Sequence, residues 1–117
     1  VNTLVIRHVM RAIIEERDLM GNAARMEALF QAGIRSFADH PLVGEARGTG
    51  LIGAVELGAD RATKRPFAKV GRAGAIASVI GHEEGLIFRN IGDQLALCPP
   101  MIVTGEDIAE IMTRMSG

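Results

Sequence analysis

Residues 3–17 hold no glycine or proline, and Val5, Val9, Ile13 and Ile14 recur at helical spacing, which predicts a first helix. From Leu19 the apolar positions Leu19, Ala23, Met26, Phe30, Ile34 and Phe37 step by three and four. Arg25, Glu27, Gln31 and Arg35 fall on the opposite side, so a second amphipathic helix follows. Asn22 is a candidate N-cap, and Pro41 ends the helix by pushing residue 40 out of the α region. The period then changes from helical to alternating. Positions 51, 53, 55 and 57 read Leu, Gly, Val, Leu with Glu56 on the other face, and Val43 to Arg47 precede them across Gly-Thr-Gly, a β-hairpin pattern. Residues 58–67, GADRATKRPF, are polar and carry Pro66, and read as a surface loop.

Val70, Ala73, Ala77 and Ile80 mark a third helix, which Gly85 stops as the C′ residue. Leu86 to Arg89 and Gln94 to Cys98 read as two short strands joined by the turn-forming set at residues 90–93. Thr104 caps a last helix with Glu106 and Asp107 in its first turn and Ile108, Ile111, Met112 and Met115 facing inward. The order ααββαββα predicts an α+β fold: a small antiparallel sheet of about four strands with helices packed on it.

The chain has 117 residues, 48% of them hydrophobic, with a formal net charge of −1. One domain spanning residues 1–117, with a core of its own, is expected from that length. The charge balance lacks the basic excess that phosphate contacts need, and no apolar run approaches the length of a bilayer span, so neither a nucleic-acid nor a membrane partner is expected. The lone Cys98 precedes two prolines at the end of an apolar strand and reads as a buried, inert thiol. One cysteine also fits a reducing, cytoplasmic setting. A first residue that is not Met, with no signal-peptide pattern after it, suggests a piece of a longer protein.

The candidate chemistry is sparse. Residues 48–53, GTGLIG, match a dinucleotide-binding fingerprint by letter, but strand alternation follows where a helix should, so a turn with close backbone packing is the better reading. His8, His40 and His82 lie in different elements and suggest no metal site. Arg89 stands out. It ends a predicted strand, where its planar fork can grip a carboxylate. A salt bridge to Asp93 across the turn is the competing reading. Arg47 is weaker: a turn-flanking arginine that satisfies nearby carbonyls.

Three landmarks then occur in order: DHPLVGEARGTGLIGAVEL, the DRATKRPF loop, and GLIFRNIGDQLALCPPMIVTGEDI. Together they resemble the C-terminal small domain of class III aminotransferases, the ω-transaminase group of fold-type I pyridoxal-phosphate enzymes. The resemblance runs from about Ala12 to Met115, whereas residues 1–11 match poorly. It implies transamination between an amine or amino acid and a keto acid, with pyridoxal 5′-phosphate as the electron sink.

It also implies that the Schiff-base lysine and the phosphate-binding loops lie in a large domain of the same chain. Lys64 and Lys69, the two lysines here, do not match that lysine. The isolated 117 residues are therefore expected to bind no cofactor and to be inactive, and the parent enzyme to be a homodimer. Arg89 matches the family's arginine that binds the carboxylate of amino-acid and keto-acid substrates. A fragment cut from a larger enzyme is expected to expose apolar surface on its first helix or on the face bearing Val43 and Leu51. The alternative, a free-standing small-molecule-binding or regulatory module, is open on fold alone.

Overall fold

The computed structural model describes residues 2–60, 62–63 and 65–116. Its elements follow the predicted order: α1 (Thr3–Glu16), α2 (Leu19–Ser36), β1 (Val43–Thr49), β2 (Ile52–Leu57), α3 (Arg72–Glu83), β3 (Arg89–Ile91), β4 (Gln94–Leu97) and α4 (Gly105–Ser116), with one 3-10 turn at Phe37–Asp39. The four strands form one antiparallel sheet in the order β1-β2-β4-β3, confirming the α+β class.

Alternation puts Val55, Leu95 and Leu97 on the inner face, where they meet Phe30 and Ile34 of α2 and Ile108 of α4 in a single apolar core. Helix and sheet approach closely because β2 carries Gly53: a Cβ there would lie 2.7 Å from Ile34 Cγ1 and 3.2 Å from Phe30 Cε1. The GTGLIG segment is thus strand, turn and strand, with Gly50 at φ 58° in the turn and no helix behind it. Gln31 donates to the carbonyls of Gly50 and Ile52, and Glu27 accepts from the Gly50 N–H, so α2 holds the hairpin tip. That corrects the placing of Gln31 on the solvent side: it is 4% exposed.

Both ends of the last helical turns are as the sequence reads them. Gly85 sits at φ 78°, with its N–H on the His82 carbonyl and the Leu86 N–H on the Gly81 carbonyl, a Schellman ending of α3. Thr104 Oγ1 accepts from the Asp107 N–H while Asp107 accepts from the Thr104 N–H, a reciprocal capping box on α4. His40 is extended ahead of Pro41, and α2 has already closed into its 3-10 turn.

Other expectations are corrected. Asn22 is not a cap: α2 starts at Leu19, after Asp18 turns the chain at φ 47°, and the Asn22 amide donates to the Met101 and Val103 carbonyls, tying α2 to the approach to α4. The third strand begins at Arg89, three residues late, because the Leu86 N–H is already spent on the end of α3; Asn90 and Ile91 belong to the strand rather than to the turn. Helix α3 faces inward through buried Gly74 and Gly81 and through Ala77, which packs against the core, while Val70, before the helix, and Ile80 are exposed. Val43 and Leu51 are core residues, so of the two faces expected to be exposed it is α1 that is, burying none of its residues and exposing Leu4, Val5, Val9 and Met10.

Candidate functional site

Helices α2 and α4 pack on the inner face of the sheet, and the outer face carries exposed side chains. Register defines its rows. Arg47 pairs with Ala54, Ala54 with Ala96, and Ala96 with Arg89, so two arginines stand at opposite ends of one cross-strand row with only alanines between them. The adjacent row reads Glu45, Glu56, Gln94, Ile91.

Arg47 lies mid-strand and engages side chains, not the turn carbonyls expected from sequence. Its Nη1 donates to Glu45 Oε2 and Glu56 Oε2, both at 3.1 Å, and its Nη2 donates to Gln94 Oε1 at 3.2 Å. Alternation is the signal that was available, since residues 45 and 47 must share a face.

Arg89 is the opposite case. It is exposed, and among the described residues it makes no hydrogen bond or ion pair. The Asp93 salt bridge does not form, because both carboxylate oxygens of Asp93 are engaged elsewhere: Oδ2 accepts from the Gly71 N–H and Oδ1 from the Gly74 N–H, each at 3.0 Å. The sequence does hold a hint of this. Gly71, the residue before α3, has no side chain to cap that helix, so the cap must come from elsewhere.

Arg89 borders a groove of about 860 Å3. Its walls are mainly apolar, including Ile52, Ile87, Pro99, Val103 and Ile111. Cys98 also lines it, exposed and free, which corrects the buried thiol: the last turn of the strand points it to the outer face. The groove's other charge, Asp107, is committed to Thr104, whose backbone N–H and hydroxyl hold its carboxyl below the usual value of 3.8. Arg89 therefore brings to the groove a positive charge with its donors unspent, against walls that would dehydrate whatever it binds.

Among the described residues nothing else gathers chemistry. His8 lies on α1, His82 on α3, and His40 Nδ1 accepts from the Leu42 N–H. Lys69 is exposed in the bend ahead of α3, and Lys64 lies outside the described residues. The loop after β2 closes on itself through Asp60 and Arg65; the Ala62 N–H and then Thr63 hold the Asp60 carboxyl low. No helix among the described residues is long and apolar enough to cross a membrane.

The described residues thus form a small α+β layer in which Arg89, without a partner among them, borders a mainly apolar groove that Asp107 and Cys98 also line. The sequence matches the class-III aminotransferase family over residues 1–117. An uncharacterised aminotransferase of Sinorhizobium fredii is 42% identical over 103 residues, covering 86% of this chain and 22% of that protein. A diaminobutyrate–2-oxoglutarate transaminase of Halomonas elongata is 41% identical over 106 residues, covering 88% and 23%. Among solved structures, the omega transaminase of Pseudomonas jessenii in complex with PMP superposes with a TM-score of 0.85 at 45% identity, covering 90% of this chain and 23% of that one. The chain belongs to the class-III aminotransferase family, and it spans less than a quarter of the length of these relatives.

Proposed function

We propose that these residues form the C-terminal small domain of a pyridoxal-phosphate-dependent aminotransferase, and that Arg89 binds the carboxylate of its amino-acid and keto-acid substrates. The observation that carries the reading is a guanidinium without a partner among the described residues, at the edge of a mainly apolar groove. The relatives support the reaction class, one being named for 2-oxoglutarate, a keto acid with carboxylates of the kind a guanidinium grips.

The residues of this chain do not fit as the holder of the cofactor. Among the described residues the groove has no lysine, and its aromatic residue, Phe88, packs on Gly81. The proposal therefore assigns the cofactor, its lysine and its phosphate contacts to a large domain in the same chain, and dimerisation to the parent enzyme. The cofactor, when bound there, supplies the electron sink for transamination. Arg89 supplies two parallel hydrogen bonds to one carboxylate, which fix the orientation of the keto acid and exclude water along the apolar wall. A simple amine has no carboxylate and leaves Arg89 unused.

In the longer enzyme, Arg89→Ala should lower kcat/KM for the keto acid while sparing the amine. Removing one partner of a dehydrated charge pair costs about 2–5 kcal/mol, so a loss on the order of thirtyfold or more is expected. Arg89→Lys should recover part of it, since an ammonium keeps the charge without the fork. Equal losses toward amine and keto acid in single-turnover kinetics would refute the assignment.

A further inference from the structure

We propose that Asp93 is a positioning residue that sets how Arg89 is presented, acting through helix α3. The proposal rests on Arg89 as the carboxylate-binding residue and goes beyond it by naming what fixes that arginine in place.

Strand β3 has three residues, all exposed, and pairs with β4 on one side only. Burial cannot hold such an edge strand still, so its order must come from its ends. At the end nearest Arg89, the Leu86 N–H reaches the Gly81 carbonyl at 2.7 Å, and Phe88 lies where a Cβ on Gly81 would come within 2.7 Å of its ring. At the far end, Gly92 lies so close to α3 that a Cβ on Gly74 would run into the Gly92 carbonyl oxygen.

Asp93 then closes the contact, with one carboxylate oxygen on the Gly71 N–H and the other on the Gly74 N–H, while its own carbonyl accepts from the Leu57 N–H at 2.9 Å. Helix α3 is thus fastened to both ends of the strand that carries Arg89. The side chain doing the fastening caps a helix whose preceding residue, Gly71, has no side chain to serve as its cap. An amide at position 93 would keep one acceptor oxygen and turn an NH2 donor toward the other N–H.

The test uses the full-length holoenzyme with Asp93→Asn. The expected result is a KM for the keto acid raised about tenfold, with kcat and the KM for the amine within twofold of the parent. Asp93→Glu should recover part of the loss, because it restores both acceptors on a longer stem. In an Arg89→Ala background, Asp93→Asn should add nothing further toward the keto acid. Parallel loss toward both substrates, or a lowered melting temperature with unchanged KM values, overturns the proposal and leaves Asp93 as a plain helix cap.

If Arg89→Ala proves unselective, the reading of Arg89 fails on its own, and amide exchange still decides the clamp. Faster exchange at residues 71–74 and 89–91 in Asp93→Asn, with β1 and β2 unchanged, sustains it. Unchanged exchange at residues 89–91 refutes it.

Discussion

Arg47 and Arg89 occupy the two ends of one row on the same exposed sheet face, yet one has three side-chain partners and the other has none among the described residues. The difference lies in the neighbours. Beside Arg47 the adjacent row offers Glu45, Glu56 and Gln94; at the Arg89 end the same row offers Ile91, and the other side offers the apolar groove. An arginine with its donors committed is a surface staple of small energetic weight. An arginine beside apolar walls, with no partner among the described residues, keeps its planar fork of donors uncommitted.

The comparison can be broken by giving Arg89 what Arg47 has. Ala96 is its direct register partner, and Ala96→Glu should place a carboxylate within reach and occupy the guanidinium. In the full-length enzyme the keto acid would then have to displace an internal rival, so its kcat/KM should fall about tenfold or more with little change in melting temperature. Unaltered keto-acid kinetics would show that Arg89 is not the recognition group.

Arg47→Ala probes the other end. Its side chain is 43% exposed and its carboxylate partners about as exposed, so the loss should be about 1 kcal/mol or less in chemical denaturation, with both substrates affected alike. A selective loss toward the keto acid would mean that the two arginines act as one site.

The smallest effect concerns Asp107, the groove's second charge. Its folded pKa is depressed by the Thr104 backbone N–H and hydroxyl, so its stabilisation is fully present above the unfolded value of 3.8 and is lost as pH falls through the folded value. The melting temperatures of the parent and of Asp107→Asn should therefore differ by a constant amount at neutral pH and converge in acid, below about pH 4. A gap that persists at low pH would remove the carboxylate from the cap.

Most of the architecture was legible because it rests on local rules. Periodicity gave the helices and the hairpin, Gly85 and Thr104 gave their caps, and the order of elements gave the sheet. The errors share another origin. Apolar positions marked α3 but not its docking surface, because Gly74 and Gly81, its buried residues, have no hydrophobic weight to count. Asn22 has the chemistry of a cap, but carbonyls about eighty positions away claim it. At the site, Arg89 was singled out by its resemblance and its predicted strand-end position, whereas its lack of a partner among the described residues goes with Asp93 being occupied by α3. That occupancy is a tertiary contact, and nothing within the turn itself announces it.

The docking surface of α3 has a mechanical meaning. Where helices meet through long side chains, rotamers yield and absorb small displacements; where they meet through glycine, backbone presses on backbone and little can give. Helix α3 meets the Gly92 backbone through Gly74 at one end and, through Gly81 at the other, the Leu86 carbonyl and the Phe88 ring. Its twelve residues make a rod of about 18 Å. A push at the Gly71 end should therefore arrive at Leu86 nearly undiminished, so that α3 and β3 move as one lever and not as two elements in loose contact.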